Sequence, residues 1–173
     1  MRELILGGAR SGKSALAERR ARDSGLAVCY IATATAGDAE MAARIARHRA
    51  DRPAHWTTLE EPLALARVLR EQARADRCLL VDCLTLWLGN LLGASASRLE
   101  RETAALLETL PALPGQILLV SNEVGQGVVP MGELSRRFVD EAGRLHQRLA
   151  AICERVTLVV AGLEMPLKPQ PNR

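Results

Sequence analysis

The chain has 173 residues, of which 48% are hydrophobic and 25% are charged, and its formal net charge at pH 7 is +3. This length fits one domain with a proper core, the apolar content excludes a largely disordered chain, and so small a net charge does not by itself indicate a nucleic-acid partner. We expect a single domain over residues 1–162 and a flexible, proline-punctuated tail over residues 163–173.

Cysteine placement and the apolar runs indicate the cellular compartment of the protein. The four cysteines are scattered, mostly within apolar runs and without C-x-x-C spacing: Cys29, Cys78, Cys83 and Cys153. This pattern is typical of reduced, buried thiols. We expect no signal peptide before the first strand and no membrane-spanning segment, since the apolar run Leu84–Leu92 is interrupted by Gly89 and Asn90. We therefore expect a soluble, cytoplasmic protein.

The first predicted element is a short strand that leads into a glycine-rich loop. Aliphatic residues Leu4–Leu6 precede a G-x-x-x-x-G-K-[ST] pattern, and good helix formers follow from Ala15 to Arg22. In such a strand–loop–helix unit, backbone N–H groups surround phosphate oxygens, Lys13 reaches the β- and γ-phosphates, and the Ser14 hydroxyl ligates Mg²⁺. The sequence therefore predicts binding of a nucleoside triphosphate by Gly7, Gly8, Ala9, Arg10, Ser11, Gly12, Lys13 and Ser14.

The rest of the chain alternates between predicted strands and helices. The strands cover residues 27–33, 56–59, 78–83, 116–121 and 156–161, and the helices cover residues 38–50, 62–75, 84–92, 97–110 and 132–153. The last helix is amphipathic and has its inner side at Phe138, Leu145, Leu149 and Ile152. Alternation of this kind predicts an α/β fold with a mostly parallel sheet and helices on both faces.

An acidic residue ends the apolar strand at residues 78–83. Asp82 follows Leu79, Leu80 and Val81, as in the strand that holds Mg²⁺ beside a phosphate loop. An aspartate in this place can also cap the helix that starts near Leu84. The phosphate loop favours the metal role, so Ser14 and Asp82 are the predicted Mg²⁺ ligands.

The helix predicted after Asp38 carries a histidine on its apolar face. Met41, Ile45 and His48 lie at i, i+4 and i+7, and arginines crowd around them at Arg44, Arg47, Arg49 and Arg52. Two interpretations of this pattern stay open. One is a core histidine bonded to a backbone carbonyl, and the other is a neutral imidazole that attacks phosphorus while arginines hold the phosphates.

Several motifs, taken together, resemble one family. They are residues 7–14, Tyr30–Thr33, Glu40–Ile45 with His48, Arg52–Trp56, Leu80–Thr85, Asn90–Leu92, Ser121–Pro130, and Arg137-Phe138 with Asp140, Gly143 and Gln147. From residue 4 to about residue 162, the chain is similar to the bifunctional adenosylcobinamide kinase/adenosylcobinamide-phosphate guanylyltransferases of cobalamin biosynthesis. The segment Ser121–Pro130 is especially specific, because no generic phosphate-loop enzyme requires it.

The resemblance implies a two-step enzyme with a recombinase-like P-loop NTPase fold, assembled as a homotrimer. ATP or GTP phosphorylates the terminal hydroxyl of adenosylcobinamide, and GTP then donates a guanylyl group to the new phosphate and releases pyrophosphate. In this family a histidine carries the guanylyl group, and His48 is the matching position, which favours its catalytic interpretation. The other positions that match the family's GTP contacts are Ala32, Thr33, Ala34, Arg49, Ala50, Asp51, Arg52, Glu60 and Asp82.

The sequence departs from the family pattern at two positions. Arg47 stands where some relatives have a second histidine, so His48 is the candidate on its helix, and His146 stands where we expect asparagine. We expect structural or surface roles for His146 and His55. Glu123, Gln126 and Arg137 fit substrate or subunit contacts, but a structural turn explains the glycines around Gln126 equally well.

Other classes of function remain to be distinguished from this one. A small-molecule kinase with one activity would use the phosphate loop and Asp82 without needing His48. A regulatory nucleotide-binding module would bind GTP and form no product. A nucleic-acid motor is disfavoured, because the sequence lacks an extended basic stripe and paired aromatic residues.

Overall fold

The computed structural model describes residues 1–35 and 53–168. The strands are β1 (Arg2–Gly7), β2 (Ala27–Ala32), β3 (Thr57–Glu60), β4 (Arg77–Asp82), β5 (Gln116–Asn122), β6 (Arg155–Val160) and β7 (Leu163–Lys168). The helices are α1 (Lys13–Asp23), α2 (Leu65–Gln72), α3 (Leu84–Ala94), α4 (Ala96–Thr109) and α5 (Glu133–Ile152). The helix predicted at residues 38–50 lies outside the described residues.

The strands form one seven-stranded sheet in the order β3-β2-β4-β5-β1-β6-β7. Every neighbouring pair is parallel except β6 and β7. The phosphate-loop strand β1 is therefore central, and β5 separates it from β4, which ends in Asp82. The predicted α/β fold with a mostly parallel sheet is confirmed.

Apolar side chains cover both faces of the sheet, as expected when parallel strands are joined by helical crossovers. On one face, Leu16, Ala17 and Ala21 of α1 pack against strand residues such as Ile5 and Leu80. On the other face, α2 to α5 supply half of the core residues, which include the fully buried Trp87 of α3. Because both faces are buried, the strand sequences are continuous apolar runs and do not alternate between apolar and polar residues.

Within residues 1–35 and 53–168, the predicted strands and helices agree with the observed ones to within a few residues, and the largest shift is in α2. Its start moves from the expected residue 62 to Leu65. The carboxylate of Glu61 accepts hydrogen bonds from the backbone N–H groups of Leu63 and Ala64, at 2.9 and 2.8 Å. These bonds pair the two donors within a turn that precedes the helix.

Residues 163–168 are not the flexible tail that the sequence suggests. They form β7, which pairs antiparallel with β6. Ala161 and Gly162 both have positive φ, as in the two-residue turns that join hairpin strands. Pro166 is compatible with this strand because β7 lies at the edge of the sheet, beside a register shift between Val156 and Thr157.

The four cysteines are free and buried, as predicted. Burial raises the pKa of Cys78 and of Cys153 to about 12, so both are uncharged thiols near neutral pH. Within residues 1–35 and 53–168, no helix combines the length and the apolar composition needed to cross a membrane.

Candidate nucleotide site

The loop after β1 has the backbone geometry that its glycines predict. Gly12 has a φ of 97°, a backbone conformation that residues other than glycine rarely adopt. A Cβ on Gly12 would also lie 3.3 Å from the Cα of Gly162. A Cβ on Gly7 would lie 2.4 Å from Ser11 Oγ and 2.6 Å from the carbonyl oxygen of Val159. A larger residue at either position would therefore distort the loop.

The loop closes on itself and leads directly into α1. The backbone N–H of Ser11 donates to the carbonyl oxygen of Gly8 at 3.2 Å, and the N–H of Leu16 donates to that of Gly12 at 3.0 Å. Lys13 is the first residue of α1, and its ammonium donates to the carbonyl oxygen of Gly8 at 3.2 Å. The lysine thus folds back over the start of the loop, close to where the β- and γ-phosphates of a bound nucleotide are expected.

Asp82 lies on the same face of the sheet as α1. Leu80, two residues before it in β4, packs in the core beside Leu16 of α1. Because side chains alternate along a strand, Asp82 points to the α1 side as well. Ser14 lies in the first turn of α1. The structure therefore places both predicted Mg²⁺ ligands on one side of the sheet.

Asn122 is a polar residue at this edge that was not among the predicted site residues. It pairs in register with Gly7 across β1 and β5, and it lies two residues after Val120, the partner of Asp82 across β4 and β5. Its side-chain oxygen is buried and has no hydrogen-bond partner within the described residues. Its position at the end of an apolar strand could have marked it as a candidate site residue. It lies near the phosphate loop and Asp82, however, only because β5 lies between β1 and β4.

The segment Ala32–Ala34 and Glu60 lie along the same edge. Ala32 pairs in register with Asp82 on one side and with Glu60 on the other. Thr33 is fully buried, and its hydroxyl donates to the carbonyl oxygen of Cys83 at 2.6 Å and accepts from the Cys83 N–H at 3.0 Å. This pair of bonds ties the end of β2 to the residue that follows Asp82.

Asn90 of α3 fixes the same segment from the helix side. Its amide donates to the carbonyl oxygen of Thr33 at 2.8 Å and to that of Pro62 at 3.1 Å. The ends of β2 and of the β3–α2 connection are therefore held at one place. Asn90 belongs to a motif that carried the family resemblance, although its sequence context gave no sign of this role.

His146, Ser121 and Glu123 form a second polar cluster beside the loop. His146 of α5 is buried, and its Nε2 lies 2.8 Å from Ser121 Oγ, while its Nδ1 lies 3.9 Å from Glu123 Oε2. Burial lowers the pKa of His146 below its usual range, and the carboxylate of Glu123 opposes this effect. Of the two histidines expected to have structural or surface roles, His146 is therefore buried and bonded, and His55 is exposed.

The structure thus brings most of the predicted site residues to one edge. The loop Gly7–Ser14, the segment Ala32–Ala34, Glu60 and Asp82 all follow or end parallel strands at the same edge of the sheet, where ligands bind in open α/β sheets. The remaining predicted site residues lie outside the described residues; these are His48, Arg49, Ala50, Asp51 and Arg52.

Comparison with known sequences identifies the family. Residues 3–167 match the family model described as CobU, cobinamide kinase / cobinamide phosphate guanyltransferase. The chain belongs to this family. The bifunctional adenosylcobalamin biosynthesis protein CobP of Pseudomonas aeruginosa is 72% identical over 172 residues and 99% of each chain, and CobU of Escherichia coli is 39% identical over 95% of this chain and 98% of its own.

Solved structures support the fold independently of this sequence similarity. An ATPase from the type III secretion system of pathogenic bacteria superimposes with a TM-score of 0.55 at 13% identity, over 95% of this chain and 57% of its own. A protein from Pyrococcus horikoshii OT3 gives a TM-score of 0.59 at 9% identity, over 99% of this chain and 87% of its own. At such identities the likeness concerns the fold.

Family membership establishes the two activities of the chain. It is a cobinamide kinase and a cobinamide-phosphate guanylyltransferase of adenosylcobalamin biosynthesis. Nucleoside triphosphates are substrates of both reactions, in agreement with the phosphate loop described above.

Proposed function

We propose that one edge of the sheet binds the nucleotide for both reactions, through the loop Gly7–Ser14. The observation that carries this proposal is the loop geometry, in which Gly12 has positive φ and Lys13 reaches back to Gly8. Replacement of the Gly8 carbonyl by phosphate oxygens would give the Lys13 ammonium a stronger, charge-assisted partner. Ala32–Ala34, Glu60 and Asp82 border the same edge, and we assign them to nucleotide binding.

In the first reaction, the terminal hydroxyl of adenosylcobinamide attacks the γ-phosphorus of ATP or GTP. A bond forms between the hydroxyl oxygen and phosphorus, and the bond to the β–γ bridging oxygen breaks. Phosphoryl transfer asks the protein mainly for positioning and for stabilisation of negative charge. The loop N–H groups and Lys13 supply both.

The donor set at this edge fits Mg²⁺. Mg²⁺ keeps several waters and binds through one or two protein oxygens together with substrate phosphates. The Ser14 hydroxyl and the Asp82 carboxylate would supply such oxygens, and the buried side-chain oxygen of Asn122, which has no hydrogen-bond partner within residues 1–35 and 53–168, would be able to accept a hydrogen bond from a bound water. When bound, Mg²⁺ neutralises charge on the phosphates.

In the second reaction, we propose His48 as the carrier of the guanylyl group. The imidazole attacks the α-phosphorus of GTP and pyrophosphate leaves; an oxygen of cobinamide phosphate then displaces the imidazole and forms adenosylcobinamide-GDP. A covalent intermediate divides a difficult transfer between two anions into two displacements. Arg49, Ala50, Asp51 and Arg52 are proposed to contact the nucleotide, as the family resemblance implies.

Labelling with GTP radioactive at the α-phosphorus tests the covalent step. We expect the wild-type protein to retain label that is labile in acid and stable in base, on a peptide that contains His48. The variant His55→Ala serves as the control, because His55 is exposed and is not among the predicted nucleotide-binding or catalytic residues, and it should label normally. Label on any other residue, or an unlabelled wild-type protein, would refute the assignment.

We further propose that the chain assembles as a homotrimer in the cytoplasm. Two exposed apolar sets support assembly: Val128, Val129, Met131 and Leu134 before and at the start of α5, and Leu163, Met165 and Leu167 on β7. A closed ring requires two different surfaces on each subunit, and such apolar sets are typical of interfaces. The free, buried thiols support a reducing compartment. Sedimentation velocity distinguishes the trimer from a monomer.

A further inference from the structure

Glu123 lies beside the phosphate loop, at the start of the connection from β5 to α5. Its backbone N–H donates to the carbonyl oxygen of Gly7 at 3.1 Å, which fixes it against the end of β1. Glu123 lines a cavity of about 500 Å³ that Gly8, Ala9, Arg10, Ser11 and Gln126 also line. A residue that carries a carboxylate therefore borders the same open space as the first half of the loop.

This cavity lies at the γ-phosphate end of the loop. The Lys13 ammonium bonds to the carbonyl oxygen of Gly8, and the lysine of a phosphate loop reaches the β- and γ-phosphates. Gly8 therefore marks the end of the loop where the γ-phosphate is expected. Because an in-line attack on the γ-phosphorus comes from the side away from the β-phosphate, the attacking hydroxyl would enter from this space.

One oxygen of the Glu123 carboxylate is held in place, while the other is not bonded to the adjacent histidine. Oε1 accepts a hydrogen bond from the N–H of Gly125 at 2.7 Å. Oε2 lies 3.9 Å from His146 Nδ1, which is beyond hydrogen-bond distance. His146 is itself anchored through Nε2 to Ser121 Oγ. The imidazole thus lies beside the carboxylate, within ion-pair distance, without forming a hydrogen bond to it.

We propose that Glu123 accepts the proton of the attacking hydroxyl in the kinase reaction, with His146 as a positioning residue behind it. This inference rests on the proposed nucleotide site. The hydroxyl oxygen bonds to the γ-phosphorus, the nucleoside diphosphate leaves with the bridging oxygen, and the hydroxyl proton passes to a Glu123 oxygen. Protein kinases place a carboxylate at the corresponding step.

The two reactions of the enzyme differ in their need for such a base. The acceptor of the kinase reaction is a neutral hydroxyl, which must lose a proton. The acceptor of the guanylyl transfer is a phosphate monoester, which is already ionised near neutral pH. Glu123 should therefore matter for the first reaction and not for the second.

Substitution Glu123→Gln tests this difference, with Glu108→Gln on the exposed surface of α4 as the matched control. We expect the single-turnover rate of phosphoryl transfer to fall by about 10²-fold or more, the usual contribution of a general base. The KM for the nucleotide and the rate of guanylyl transfer to supplied cobinamide phosphate should stay near wild type, and Glu108→Gln should change neither reaction.

Two outcomes would overturn the inference. An unchanged phosphoryl-transfer rate in Glu123→Gln would show that the carboxylate takes no proton, and equal losses in both reactions would indicate a general binding or folding role. Neither outcome would bear on the proposed nucleotide site, because the wild-type protein would still catalyse phosphoryl transfer. A Lys13→Ala protein with wild-type nucleotide affinity would instead refute that site, whatever the result for Glu123.

The role of His146 is tested with His146→Gln and the double variant Glu123→Gln/His146→Gln. If His146 acts through Glu123, His146→Gln should lower the phosphoryl-transfer rate less than Glu123→Gln does. The double variant should then be no slower than Glu123→Gln alone. The rate of guanylyl transfer should be unaffected. Additive losses would show that His146 acts by another route and would overturn its assignment as a positioning residue.

Discussion

Individual polar residues of this protein hold their places through neighbours that are remote in sequence. Thr33 is fixed by Cys83, Asn90 bridges Thr33 and Pro62, and His146 is fixed by Ser121. Most of these atoms are buried, so each lost bond would leave a polar group without water or a protein partner. At this scale the edge of the sheet is held by specific hydrogen bonds as well as by its apolar core.

The burial of His146 predicts a dependence of stability on pH. Burial lowers the pKa of His146 in the folded protein, so the unfolded chain binds the proton more readily. Its contribution to stability is present above the unfolded pKa of about 6.5 and is lost as the pH falls through the lower folded pKa. Between pH 7.5 and pH 5, the wild type should lose more stability than His146→Gln.

Urea midpoints of both proteins at the two pH values measure this difference. Groups that titrate equally in both proteins cancel in the comparison, which leaves the contribution of His146. If the two proteins lose the same stability over this interval, the buried imidazole does not titrate as described.

Among the secondary-structure elements, β1 and α1 are joined by a buried charge as well as by the phosphate loop. Glu3 of β1 is fully buried and pairs with Arg20 of α1, and it accepts a hydrogen bond from Thr157 Oγ1 of β6 at 3.0 Å. Arg20 also bonds to Glu164 of β7 at 2.6 Å. One buried carboxylate therefore links three elements that surround the loop.

Substitution Glu3→Gln should destabilise the protein without altering its chemistry. We expect the free energy of unfolding to fall by about 1.5–3 kcal/mol, the usual value of a hydrogen bond to a charged group, because Arg20 keeps Glu164 as a partner. Chemical denaturation measures this change. The control Glu71→Ala removes an exposed i,i+4 pair with Arg67 and should have little effect. A Glu3→Gln protein as stable as the wild type would contradict this account.

At the scale of the whole molecule, the sequence predicts elements better than contacts. The phosphate loop and the apolar strands are local patterns, so their positions follow directly from residue types and spacing. The turn that Glu61 closes before α2 and the turn at Ala161-Gly162 that leads into β7 both depend on backbone detail that composition does not reveal. The positions of Asn122 and His146 depend on strand order and helix packing, which no local pattern encodes.

The central claim is that one nucleotide site serves both reactions and that His48 is needed only for the second. Separate assays of phosphorylation and guanylyl transfer in Lys13→Ala and His48→Ala test it most directly. We predict that Lys13→Ala loses both reactions, and that His48→Ala abolishes guanylyl transfer while phosphorylation stays measurable. Guanylyl transfer by His48→Ala, or loss of both reactions in that variant, would contradict the claim.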